Sequence, residues 1–174
     1  MVPVQTPGIS VSRTLFFGFF LRSYHAFTHE RPVAEILTEP SGVEKTSLVS
    51  LAQFDSRTSR QFLIRGDQWM IEGDILKWDD WLRFLGLETR YRLTRLRGRY
   101  VSTEEETRQR PTVYSLVKDE HHPLWKFLYK YGPRLPFVST VYGGAAFQVA
   151  GGPRRYLLYV GPSGFVVREK APSS

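Results

Sequence analysis

The sequence predicts a mainly β, α+β domain: an antiparallel curved sheet or partly open barrel with two short helices. Three observations carry that expectation. Trp69 and Ile71 alternate with Met70 and Glu72, the period-two pattern of a half-buried strand. Clusters of Gly, Pro, Asp and Ser punctuate the chain between short apolar runs. The aromatic residues, 12 Phe, 9 Tyr and 4 Trp, suit sheet faces and interfaces.

Each element follows from its residues. Residues 1–10 are polar and broken by Pro and Gly, so they read as a loose terminus. PVAEILTE (32–39) is a first strand, closed by Pro40-Ser41-Gly42. Val43 to Phe54 is a second strand with Val49 and Leu51 on one face, and the polar tract 55–59 is a loop. Arg60 to Arg65 is a third strand, which Gly66-Asp67 turns into a fourth, Gln68 to Leu76. Asp79 to Leu85 reads as a short helix, with Asp at its start and Gly86 as its C-terminal cap.

Glu88 to Ser102 is a long strand, and TEEETRQRP (103–111) reads as a charged surface connector to the strand Thr112–Val117. The second helix runs from about His122 to Tyr131. Leu124, Phe127, Leu128 and Tyr131 give it one apolar face, and Gly132-Pro133 ends it. Phe137–Val141 is a short strand or turn, and Gly143–Val149 is a strand. Tyr156–Val160 and Phe165–Arg168 flank Gly-Pro-Ser-Gly as a hairpin. Residues 1–30 form a tail with an apolar segment, and 31–170 a single β-rich domain.

Composition narrows the chemistry. No cysteine is present, which excludes disulfides, thiolate metal sites and cysteine nucleophiles. The formal net charge of +7 permits nucleic acid, anionic lipid or an acidic protein as partner. Its most concentrated source is Arg90, Arg92, Arg95, Arg97 and Arg99, five arginines in one predicted strand. Strict alternation puts Arg90 and Arg92 on one face and the other three opposite. A bulge near Thr94 would join them into one basic face bordered by Tyr100. Such a face could track phosphates and stack bases. The plainer reading is a solvated face paired with Glu88, Glu104, Glu105 and Glu106.

The other polar groups have structural readings. Glu72 and Asp74 share a strand face, and Asp79 and Asp80 fit a helix start. His25 and His29 are spaced i, i+4, but HAFTH lacks the intervening Glu of a metalloprotease helix and no third ligand is set by spacing. The glycine pairs 143–144 and 151–152 form no phosphate-binding loop, and no GxSxG elbow occurs. No metal or cofactor is expected, and no catalytic residue is assigned. The tryptophans Trp69, Trp78, Trp81 and Trp125 read as core, although Trp69, Tyr91 and Tyr142 would suit an apolar ligand pocket in a barrel.

Near the N-terminus, Leu15 to Leu21 is an apolar run of seven residues. A spanning helix needs about 20, so it cannot cross a bilayer as it stands. It reads as a buried core helix, an interfacial helix, or the tail of a spanning segment whose beginning is missing.

Several runs resemble a proteobacterial family: LRSY (21–24), RPVAEI (31–36), RGDQWMIEGDILKWDDWLRFLGL (65–87), YRLTRLRGRY (91–100), RPTVYSL (110–116), LWKFL (124–128) and LPFVSTVYGGAAF (135–147). Members are commonly labelled cation/multidrug efflux pump. They carry one or two N-terminal membrane-spanning segments ahead of this domain. The resemblance implies an inner-membrane protein with a periplasmic domain, and carries over no catalytic or transport residue. This chain departs at its start, where the spanning segments are reduced to LFFGFFL. That favours an anchor remnant, with Leu15, Phe16, Phe17, Phe19, Phe20 and Leu21 meeting lipid. Transport needs a site between several spanning helices. The expectation is therefore a non-enzymatic, membrane-associated accessory or interaction domain with a membrane or membrane-protein partner. A nucleic-acid-binding module and a small apolar ligand binder are the alternatives.

Overall fold

A computed structural model describes residues 30–118 and 122–171. These residues are mostly β, with strands arranged in two antiparallel sheets and no closed barrel. The first meander is β1 (Arg31–Pro40), β2 (Thr46–Gln53) and β3 (Thr58–Arg65). The second sheet takes β4 (Gln68–Trp78), β5 (Arg90–Arg99) and β6 (Val113–Ser115). The chain then adds β7 (Val138–Val149) beside β4, and returns with β8 (Arg154–Gly161) and β9 (Gly164–Glu169). The orders are β3-β2-β1-β8-β9 and β6-β5-β4-β7.

Gly66-Asp67 is therefore a corner between sheets and no hairpin. β3 pairs with β2, whereas β4 pairs with β5 and β7. Two glycines make the corner feasible. Gly66 has φ 141°, and its N–H donates to the Lys45 carbonyl at 2.8 Å. A Cβ on Gly98 would stand 1.8 Å from the Arg65 carbonyl oxygen, so β3 and β5 cross with no room for a side chain.

One core joins the sheets. Ile36, Val49, Ile64, Trp69, Leu96 and Leu158 are all fully buried in it. Alternation explains this, since the inward set of the strands is mostly apolar, with Thr38 of β1 a buried exception bonded to the Gly152 carbonyl. Both seams between the sheets are closed by side chains. At one, Tyr114 Oη donates to the Leu63 carbonyl (3.0 Å) and Arg60 donates to that of Leu116 (3.1 Å). At the other, Phe165 of β9 lies over Gly73 and Gly144, whose missing side chains leave space for its ring.

Three short helices occur among the described residues: α1 (Asp80–Phe84), α2 (Thr103–Arg108) and α3 (Pro123–Tyr131), the last followed by a 3-10 turn. The first and third match the expected helices. Asp79 holds the N-cap position of α1 without a side-chain bond. The helix closes as a Schellman motif, Gly86 N–H to Arg83 and Leu87 N–H to Leu82.

The expected connector over 103–111 contains α2 instead. Ser102 accepts from the Glu105 N–H, three acidic residues fill the first turn, and Arg108 ends it. α3 packs on the outside of the four-stranded sheet, and a second apolar cluster forms there around Leu76, Leu128 and Val138. Its buried side is Trp125 and Leu128, while Leu124 and Phe127 are exposed, so the expected apolar face is out of phase. Trp69 is core and Trp78 and Trp125 are half-buried, but Trp81 is not core: it is 54% exposed.

Candidate functional site

β5 carries the arginines, and its pairing decides where they point. Glu72 faces Arg95 and Gly73 faces Leu93, so Thr94 is an extra residue in the ladder. Its hydroxyl donates to the Glu72 carbonyl at 3.2 Å. The bulge switches the phase of the strand. Leu93 and Leu96 both point into the core, and Arg90, Arg92, Arg95, Arg97 and Arg99 share the outer face. Of the two arrangements open in the sequence, the bulged one is observed.

The register builds that face in rows. Val113, Arg97, Met70 and Phe147 lie side by side across β6, β5, β4 and β7. The next row is Ser115, Arg95, Glu72 and Ala145, and a third is Arg99, Gln68 and Val149. Phe147, Val149 and Val113 are exposed. α3 covers only the rows of Arg92 and Arg90.

Most of the arginines are engaged. Arg92 Nη2 meets Asp74 at 2.6 Å and its guanidinium lies 5.4 Å from the Trp125 ring centroid. Asp74 also accepts from Tyr129 Oη at 2.8 Å, so one carboxylate ties β4 to β5 and α3. This pair is only 17% and 15% exposed, which makes the tie structural. Burial, and then the Asp74 bond, push the Tyr129 phenol well above its ordinary pKa. Arg95 pairs with Glu72 at 2.8 Å. Arg97 pairs with Glu106 at 2.6 Å, and the same carboxylate caps the Tyr100 N–H at 2.7 Å. Arg99 bonds Gln68 (3.2 Å) and lies over Phe147 at 4.8 Å. Only Glu106 of the four expected carboxylates meets the ribbon. Glu88 pairs with Arg31, Glu104 with Arg108 and Glu105 with Lys45. Tyr100 is buried beneath Lys45, so it offers no platform for a base.

Between α3 and the bulge lies an open groove of about 400 Å³, with Glu72, Asp74, Arg95 and Tyr129 around a floor of Gly143, Gly144 and Ala145. The small residues of β7 create it. A second groove, about 440 Å³, lies at the far end of the other sheet beside Thr38, Arg154 and Glu169. Neither is lined by Trp69, Tyr91 or Tyr142. Trp69 packs edge-on against Tyr156 at 5.5 Å, and Tyr91 donates to Asp55 at 2.5 Å.

Among the described residues no three His, Cys, Asp or Glu side chains gather as a metal set, and no helix is long and apolar enough to cross a membrane. Leu15 to Leu21, His25, His29 and His121 lie outside the described residues. The open half of this face joins cations to aromatic and aliphatic surface, the composition of a recognition patch. Its carboxylates are held by arginines. Neither a family model, nor a curated protein, nor a solved structure matches the chain.

Proposed function

We propose that this chain is a non-enzymatic, membrane-associated accessory or interaction domain of the efflux-pump-labelled family it resembles. Its domain stands on the periplasmic side of the bacterial inner membrane. The observation that carries the reading is the uncovered half of the four-stranded sheet. There, exposed Phe147 and Val149 lie beside Arg95, Arg97 and Arg99. Aromatic and arginine side chains together make strong protein contacts, because they bury large area and bond with few rotors lost. The run Leu15 to Leu21 supports attachment to the membrane. The full chain should co-float with lipid vesicles, and Phe16→Ser, Phe17→Ser, Phe19→Ser and Phe20→Ser together should release it. A quadruple variant that floats as well as the parent, or a parent that never floats, would end the reading.

A second reading has one observation in its favour. The Thr94 bulge gathers all five arginines on one face, as a phosphate-tracking surface requires. The internal pairing of Arg92, Arg95 and Arg97 weighs against it. Oligonucleotide binding that falls steeply with salt, and that weakens when Arg95, Arg97 and Arg99 become Ala, would favour nucleic acid.

A further inference from the structure

The two ends of the domain differ in kind. At one end β1 begins, β4 runs through α1 into β5, and α3 and its 3-10 turn lie against Trp78 and Val138. The Asp79 N–H donates to the Phe137 carbonyl at 3.0 Å, which joins α1 to the segment after α3. Arg31 meets Glu88 at 3.2 Å, which sets the start of β1 beside the end of the α1 connection. At the opposite end are the turn around Val43, α2 and Val101.

Large apolar side chains crowd the first end. Trp81 and Leu85 are 54% and 58% exposed, and Leu87, Leu124, Phe127 and Phe137 are exposed too. The described residues leave each of them 39–58% exposed. The charge of α3 is equally one-sided. Residues 122–137 contain Lys126, Lys130 and Arg134 and no carboxylate. The opposite end carries Glu104, Glu105 and Glu106 in one turn of α2, paired with Arg108, Lys45 and Arg97, whereas Asp55, Asp80 and Glu88 of the first end lie on α1 and the strand connections and not on α3. A helix that exposes Leu124 and Phe127 beside Lys126 and Lys130, at an end that also exposes Trp81, has the composition of an interfacial element. The rings settle among headgroups, while the lysines reach anionic phosphates.

The chain itself supplies the tether. Leu21 precedes Arg31 by ten residues, so the C-terminal edge of the apolar run can lie no farther than about 35 Å from the start of β1. If that run meets lipid, the nearest part of the domain is the apolar end that carries the lysines of α3.

We infer that the α1/α3 end is a second membrane-docking surface, which lays the domain on an anionic phospholipid bilayer with α2 pointing away. The inference rests on the membrane-associated reading above. It adds an orientation, with Trp81, Leu85 and Phe127 in the headgroup layer and Lys126 and Lys130 on the phosphates.

The chain has no cysteine, so single ones can be introduced cleanly. In the full chain, Leu85→Cys and Phe127→Cys at this end, and Val43→Cys and Val101→Cys at the other, each carry an environment-sensitive nitrobenzoxadiazole label. They are mixed with vesicles of phosphatidylethanolamine and phosphatidylglycerol. The expected result is a blue shift and a gain in emission at 85 and 127, with none at 43 and 101. Lys126→Glu with Lys130→Glu should abolish the shift on these vesicles while circular dichroism stays unchanged. Co-flotation without any shift at 85 and 127 would overturn the docking surface and leave the membrane-associated reading intact. Equal shifts at all four positions would overturn it as well. No co-flotation would overturn both.

Discussion

The two faces of β4 are built from one strand and obey different physics. Its inner face presents Trp69, Ile71 and Ile75, all fully buried between the sheets. Stability there comes from close packing and the removal of apolar surface from water. Its outer face presents Gln68, Met70, Glu72 and Asp74, which meet arginines of β5. There the governing terms are charge pairing and helix docking. The inner face is therefore intolerant of volume. The outer face tolerates change except where α3 shields it.

Substitutions can sharpen this contrast. The largest effect is expected at Gly98→Ala, whose new methyl would meet the Arg65 carbonyl at 1.8 Å. Backbone cannot yield there without parting β3 from β5, so the loss should exceed about 4 kcal/mol in urea unfolding, and much of the chain should fail to fold. Asp74→Ala comes next. It deprives Arg92 and Tyr129 of their shared acceptor in a nearly covered site. A loss of about 1–3 kcal/mol is expected, with α3 losing amide protection before the sheets do. Arg95→Ala is expected to cost about 0–1 kcal/mol, because its pair with Glu72 is solvent-screened on the arginine side. A loss at position 95 as large as that at 74 would break the distinction between covered and open rows.

Alkali offers a further probe, of the covered row through Tyr129 and of the inner side of β5 through Tyr91. Tyr129 and Tyr91 have phenol pKa values raised by burial and then by Asp74 and Asp55 respectively. A raised phenol pKa favours the neutral folded form. Its contribution is fully present below the ordinary value of about 10 and is lost as pH climbs above it. Thermal stability should fall more steeply above pH 10 in the parent than in Tyr129→Phe, which has no phenol to ionise.

Much of the framework was legible in the sequence, for reasons that particular residues show. Trp69, Ile71 and Ile75 announce β4 because alternation is a local signal. Gly-Pro-Ser-Gly announces the β8–β9 hairpin because turn chemistry is local too. The long-range facts were less visible. Gly66-Asp67 reads as a turn from one strand into the next, and nothing local says that the two strands pair in different sheets. Glu72 and Asp74 meet Arg95 and Arg92 through a register that no spacing encodes. α3 has apolar residues on both sides, so its phase was ambiguous until the Tyr129–Asp74 bond and the Trp125–Arg92 stack fixed it. α2 did leave a local trace, the capping pattern Ser102 to Glu105 followed by Arg108. The Thr94 bulge could be named as an option but not chosen, since what selects it is the register against Glu72 and Gly73 of a separate strand.

That bulge is where the candidate functional face is made, and cysteine reactivity along β5 tests it most directly. Single cysteines at positions 93, 95, 96 and 97 in the otherwise cysteine-free chain would be titrated with a water-soluble thiol reagent under native conditions. The bulged strand predicts slow reaction at 93 and 96 and fast reaction at 95 and 97. Protection shared by 93, 95 and 97, with 96 reactive, would mean an unbroken alternation and would split the arginines between two faces.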